Sequence, residues 1–197
     1  DLVDSVSYGA QVPDLALGRI GTGEEWVLAA PSPGAENQAV ELAAASSVSI
    51  NEWVANANAG DGDWIELFNR DATKPASLQG LYLGTSAHFF HIRSLAFLPP
   101  GGFIQMLADE STGPRHLDFR LPSTGGSIQL LDRAASLIER VDYPASAQGL
   151  AMGRIPDGAT PGFETSGLVP TPGRANAKAN YAGPVDRKST RLNSSHT

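Results

Sequence analysis

The stretch DLVDSVSYGAQVPDLALGRI at residues 1–20 returns as SLIERVDYPASAQGLAMGRI at residues 136–155. Leu2, Tyr8, Leu15, Gly18, Arg19 and Ile20 recur as Leu137, Tyr143, Leu150, Gly153, Arg154 and Ile155, each 135 positions later. Farther on, PSPGAEN at 31–37 matches PTPGRAN at 170–176 with a spacing of 139, so the second copy carries four extra residues between the two matches. A surface loop tolerates such an insertion cheaply. Identity held in register across a constant spacing indicates a duplicated unit, and this limits the chain to a fold that can be built twice. Only the closing part of the first copy is present. Residues 1–37 are therefore read as the C-terminal end of a first unit whose earlier strands precede Asp1, 38–45 as a linker and 46–176 as a complete second unit.

The other end follows no such pattern. After a second linker at 177–185, DRKSTRLNSSH at 186–196 shares nothing with the repeats and reads like the translation of a common short-read sequencing adapter. Residues 186–197 are accordingly read as an artefact and expected to be disordered. The chain carries a net charge of −7, and without the tail's Arg187, Lys188, Arg191 and Asp186 it carries −9. An acidic chain is repelled by phosphate backbones, which argues against nucleic acid as a partner. Having no cysteine, it forms neither disulfides nor thiolate metal sites. No apolar run is long enough to span a bilayer.

The middle of the chain reads as short strands. Val48, Ile50 and Val54 in SVSINEWV fall on alternate positions, NANAGDGD supplies a turn, and WIELFN at 64–69 returns as the second arm of a hairpin. GLYLGT, HFFHI, GFIQML, SIQLLD, SLIERVDY and LAMGRI follow, separated by LPPGG, PSTGG and PDG turns. The 21 glycines and 14 prolines are spread along the chain, as tight turns require. Only ENQAVELAAASS at 36–47 favours a helix. Many short strands without βαβ alternation predict an all-β, antiparallel β-sandwich.

The ordered motifs SINEW, DWIELFN, SLQGLYL, LPPGGFIQM, GGSIQLLD, SLIERVDY, AMGRIPDG and PTPGRAN resemble the lamin tail domain in its bacterial and extracellular form. The resemblance covers residues 46–176 fully and 1–37 as the end of a preceding copy. It implies an immunoglobulin-like β-sandwich and a non-catalytic role in adhesion, interaction or spacing within a larger exported protein, extracellular or on the cell surface. Its partners would be a protein or a cell-surface polymer, together with neighbouring domains of the same chain. The alternative from another class is an accessory targeting region of a surface or secreted hydrolase or nuclease, with the catalytic domain outside these residues. Pro144 departs from the small residue that many relatives carry after the tyrosine, and ATPGFETSGLV is longer than its counterpart in the first copy.

Within WIELFN, Glu66 shares a strand face with Trp64 and Phe68, and Asn69 lies on the other face with Ile65 and Leu67. A carboxylate between aromatics sits at a rim or is paired, and Arg154 is the expected partner through a bidentate guanidinium. Gly80, Gly153 and Gly173 are expected in turns or bulges, and Pro172 with Gly173 in a turn that ends the unit. Asn176 would bond nearby backbone.

Three constellations suggest chemistry. His88 and His91 lie three apart, but on a strand they project to opposite faces and cannot share a zinc ion. Asp61 and Asp63, with Asn56 and Asn58 nearby, are candidate calcium ligands; no Glu follows at the twelve-residue spacing of an EF-hand, and an Asp-Gly hairpin turn accounts for the same letters. Asp109, Glu110, Ser111 and His116 include the residue types of a hydrolase triad but lack a nucleophile elbow. No catalytic residue and no cofactor is assigned. Trp53, placed opposite Val48, Ile50 and Val54 by strict alternation, joins Tyr82, Phe89 and Phe90 as a candidate binding surface.

Overall fold

The computed structural model describes residues 3–22, 25–160 and 164–177. The segment at 186–197 and nearly all of the second linker lie outside the described residues. In the first copy, β1 (Ala16–Arg19), β2 (Trp26–Ala30) and β3 (Gln38–Ala39) form a small antiparallel sheet. The second copy contributes β4 (Val48–Val54), β5 (Asp63–Asn69), β6 (Ala76–Ser77), β7 (Tyr82–Gly84), β8 (Phe89–His91), β9 (Phe97–Leu98), β10 (Phe103–Ala108), β11 (His116–Leu117), β12 (Gly125–Leu131), β13 (Leu137–Pro144), β14 (Ala151–Arg154) and β15 (Glu164–Leu168). Six of these strands line up as β11-β10-β5-β4-β14-β15, four as β13-β12-β7-β8, and β6 pairs with β9.

The two large sheets pack face to face, so the complete unit is the expected β-sandwich. Ile50, Ile65, Leu67, Met106 and Met152 enter the core from the six-stranded sheet, and Leu83, Ile128, Leu130, Val141 and Tyr143 meet them from the other. Each buried aliphatic side chain of this kind stabilises the fold by roughly 1.5–3 kcal/mol. The outward face of the six-stranded sheet is also covered. Val54, Trp64, Ala151 and Leu168 make a second apolar cluster there, and residues of Asp157–Gly158 and Thr171–Asn176 bond to the β4 and β5 residues that face this way. For this reason every residue of β4 is buried.

One irregularity in β4 governs what each face carries. Ile50 pairs with Leu67 and Glu52 with Glu66, so Asn51 is an extra residue, a β-bulge. Each bulge residue shifts the alternation by one. Ile50 and Trp53 consequently point into the same core, while Glu52 and Val54 point outward. Trp53 is 1% exposed and packs against Tyr143 with ring centroids 6.1 Å apart. Its expected place on a binding surface is therefore corrected: strict alternation failed at Asn51.

The expected helix at 36–47 is also absent. The chain runs extended, with Ala39 paired to Ala29 and Gln38 to Ala30, and coils only in a 3₁₀ turn at Ala45–Ser47. Alanine-rich composition favours a helix weakly, and tertiary pairing overrides it. The Ala43 N–H donates to Pro75 O at 2.9 Å, and Lys74 pairs with Glu41, so this linker lies along the second unit.

The duplication reappears in three dimensions. The β1–β2 hairpin corresponds to the β14–β15 hairpin, with Ala16 opposite Ala29 just as Ala151 stands opposite Leu168. Asn37 lies against Gly18 so closely that a Cβ there would sit 2.8 Å from its amide, and Asn176 does the same at Gly153, at 2.7 Å. Arg19 pairs with Asp4 at 2.8 Å, and Arg154 with Glu139 at 2.7 Å. These residues again stand 135 positions apart.

Candidate functional site

Of the motif residues, Glu66, Gly153, Gly173 and Asn176 meet on the outward face of β4, β5 and β14, where the segment Thr171–Asn176 is fastened. Glu52 and Glu66 stand directly opposite each other, and both are fully buried. Their ligands are backbone. The Thr171 N–H donates to Glu52 at 3.0 and 3.1 Å, and the Gly173 N–H donates to Glu66 Oε2 at 2.6 Å. Gly173 holds a φ of 76°, a left-handed turn conformation that points this amide inward at little steric cost. Asn51, pushed out by the bulge, is the hub. Its Nδ2 donates to Glu66 Oε1 at 3.2 Å and to Asp157 Oδ1 at 2.9 Å, and its Oδ1 accepts the Gly158 N–H at 2.9 Å. Asn176 completes the closure by donating to Asn51 O at 3.3 Å, while its own N–H donates to Asp157.

Three carboxyls thus share one cluster. Burial, and secondarily the neighbouring Glu66, pushes Glu52 up to about 7; burial likewise pushes Glu66 up to about 7, with Asp157 adding to it. Proton counting agrees. Thr171 Oγ1 lies 2.8 Å from Asn176 Oδ1 and 3.1 Å from Glu52 Oε2, yet a hydroxyl has one proton to donate. If it goes to Asn176, the contact to Glu52 is a hydrogen bond only when Glu52 carries a proton and donates.

The expected Glu66–Arg154 pair does not form. Arg154 leaves β14 toward the other side of the sheet, where it is fully buried between the two sheets. There it donates to Glu139 Oε1 of β13 at 2.7 Å and to Glu164 of β15 at 3.3 Å. Glu139 also accepts the Ile50 N–H at 2.6 Å. Two ion pairs from Arg154 and the Ile50–Glu139 hydrogen bond tie β4, β13, β14 and β15 together. Spacing alone did not tell which sheet face Arg154 would take. Gly153 likewise lies within β14 and not in a turn: its missing side chain makes room for Asn176. Gly80, at φ 85°, is in a turn, and Pro172 precedes the Gly173 turn. Asn69 caps the end of β5, donating to Lys74 O and Pro99 O and accepting from Ser47 and the Asp71 N–H.

The remaining candidates are scattered. Tyr82 stacks on His91 across β7 and β8, with centroids 4.4 Å apart. Phe89 and Phe90 are half-buried, and both border an open groove of about 480 Å³ with His91, Arg93 and Pro114. Replacing Tyr82 with Ala is expected to cost about 1 kcal/mol in chemical denaturation through loss of the stack. His88 pairs with Asp118 at 2.9 Å. His116 Nδ1 pairs with Asp109 at 2.9 Å; desolvation works against the Asp109 carboxylate, but this bond and the Ser111 N–H outweigh it and hold Asp109 below its ordinary range. Asp63 accepts the Ala57 N–H at 3.0 Å within the β4–β5 turn, and Asp61 is exposed in that turn. Among the described residues no three His, Asp or Glu side chains are placed to hold a metal ion, and no helix is long and apolar enough to cross a membrane.

No family model, curated protein or solved structure matches the chain. The closure cluster is not legible as a unit in the sequence because its members come from four separate motifs, NEW, WIELFN, PDG and PTPGRAN, which only the fold brings together.

Proposed function

We propose that the chain is the end of one immunoglobulin-like unit of lamin-tail type stacked on a complete second one, serving as a non-catalytic spacer and interaction element of a larger exported protein. The observation that carries this reading is the joint between the copies. Val12 and Leu28 of the first copy form one buried cluster with Leu95 and Phe97 of the second, flanked by Leu15, Leu17, Trp26 and Val40. A packed apolar joint holds two units at a set separation and angle, whereas a free linker lets them tumble apart. The recurrence of the hairpin, the Gly–Asn contact and the Arg–acid pair supports the same reading, since a spacer is extended by repeating one unit. The motif residues fit a structural role: the buried carboxyls use their hydrogen bonds to close the unit, and Arg154 uses its own to join the sheets. The resemblance to lamin tail domains implies a location outside the cell and a protein or polymer partner.

Backbone ¹⁵N relaxation on the whole chain tests the spacer. Residues 6–40 and 46–176 are expected to report one overall correlation time. Two distinct correlation times, with the shorter for residues 6–40, would defeat the reading.

A further inference from the structure

The joint contains more than side chains. Residues 7–11 run alongside the edge that precedes β9, with Tyr8 in an isolated parallel bridge to Leu95. The Leu95 N–H donates to Ser7 O at 3.2 Å, the Gly9 N–H to Leu95 O at 3.0 Å, and the Phe97 N–H to Ala10 O at 2.8 Å. Gln11 Nε2 donates to Leu95 O at 2.8 Å as well. Gly9 lies close against this edge. A Cβ there would lie 3.1 Å from Ala96 Cβ, 3.2 Å from Ser94 Oγ and 3.4 Å from Pro114 Cβ.

The repeat alignment pairs Tyr8 with Tyr143 and Gly9 with Pro144. Proline lacks the N–H that Gly9 donates, and its ring is bulkier than the Cβ that already crowds this edge. In the second copy Tyr143 is in the core and Pro144 is the last residue of β13. Ser7, Tyr8 and Gly9 thus align with Asp142, Tyr143 and Pro144 of β13, which pairs with β12 and is the edge strand of its sheet, so a unit can complete that sheet and still offer the open side of this strand to a neighbour.

Resting on the stacked-pair reading, we propose that Gly9 makes the first copy a strand donor to the second, whose edge at Ser94–Phe97 is the acceptor, and that Pro144 bars the second copy from donating in the same way. The joint is thus directional: the acceptor edge recognises a preceding unit of this same type by its free amide and missing side chain at one position. The device is main-chain pairing for affinity and a steric gate for specificity.

Amide hydrogen exchange by NMR on the whole chain tests this with Gly9→Pro, Gly9→Ala and Pro144→Gly. In the parent chain the Leu95 and Phe97 amides are expected to be protected. Gly9→Pro is expected to lower their protection by about tenfold or more, as loss of a hydrogen bond and a steric clash require, with the β4 and β5 amides unchanged. Gly9→Ala, which keeps the N–H and adds only the crowded Cβ, is expected to lower it by a few fold and guards against misfolding of the proline variant. Pro144→Gly is expected to leave both amides as they are. Protected amides in the parent that remain equally protected in Gly9→Pro and Gly9→Ala would overturn the Gly9 proposal alone. Unprotected Leu95 and Phe97 amides in the parent would instead overturn the stacked pair itself.

Discussion

Arg154→Ala is expected to destabilise the chain by about 3–5 kcal/mol, and the matching change in the first copy, Arg19→Ala, by about 1 kcal/mol or less. Both arginines face an acid fifteen residues upstream at almost the same distance, and burial is the main difference between the two pairs. Arg154 is 0% exposed and Glu139 3%, whereas Arg19 and Asp4 are 39% and 52% exposed. Removing one partner of a buried pair leaves an uncompensated charge in a low-dielectric setting, which accounts for the large figure. An exposed pair is screened by water and contributes little; Arg19 adds only its stacking over the Trp26 ring, 4.6 Å away. Urea denaturation of the single variants measures the difference. The double variant Arg154→Met with Glu139→Gln is expected to recover most of the loss, because the new amide at position 139 still accepts the Ile50 N–H and the one carboxylate left without the guanidinium, Glu164, is 19% exposed and reaches water. Equal costs for Arg154→Ala and Arg19→Ala would show that the buried ion pair is not what ties the sheets together.

How much of this was legible in the sequence depends on how local the signal is. Strand alternation and turn letters are local, and they predicted the sandwich and most of its strands. The repeat is also legible, because the Gly–Arg and Pro-Gly-x-x-Asn signatures stand in register, and in the structure they mark the same hairpin and the same Gly–Asn contact in both copies. The bulge at Asn51 is different. Nothing in SINEW announces an extra residue, yet it moved Trp53 into the core and Glu52 out of it. A single inserted residue reverses every later assignment of face.

Partners across sheets are less legible still. Glu66 and Arg154 have complementary chemistry, but Glu66 faces outward from β5 and Arg154 faces the opposite sheet, so the guanidinium meets Glu139 instead. The segment at 36–47 shows the same limit from another side. Its alanines suit a helix, but Gln38 and Ala39 are claimed by β2 and Ala43 by Pro75, contacts that no local propensity contains.

The second large effect concerns pH. Stability is expected to rise as pH falls from about 8 to about 5, opposite to the usual behaviour of paired carboxylates. The sign follows from Glu52 and Glu66, whose folded-state values are pushed up from 4.5 to about 7. Below about 4.5 both are protonated whether the chain is folded or not, and the cluster carries no penalty. As pH climbs through 7 they must ionise inside the closed unit, and the stability is lost. Each tenfold change in proton affinity corresponds to about 1.4 kcal/mol, so Glu52 alone accounts for roughly 3 kcal/mol. The two carboxyls are not additive, because each raises the cost of charging the other. Asp71 and Asp109 are held below their ordinary range and act in the opposite sense, but only at more acidic pH. Glu52→Gln decides the matter. The amide imitates a protonated Glu52: its Oε1 accepts the Thr171 N–H and its Nε2 donates to Thr171 Oγ1, which then donates to Asn176. Thermal melts of this variant are expected to show a higher Tm than the parent at about pH 8, equality near pH 5, and a flatter profile between. A Tm below the parent at the alkaline end would mean that Glu52 closes the unit as an anion, held by the Thr171 N–H and hydroxyl together, and that Asn176 receives no proton from Thr171.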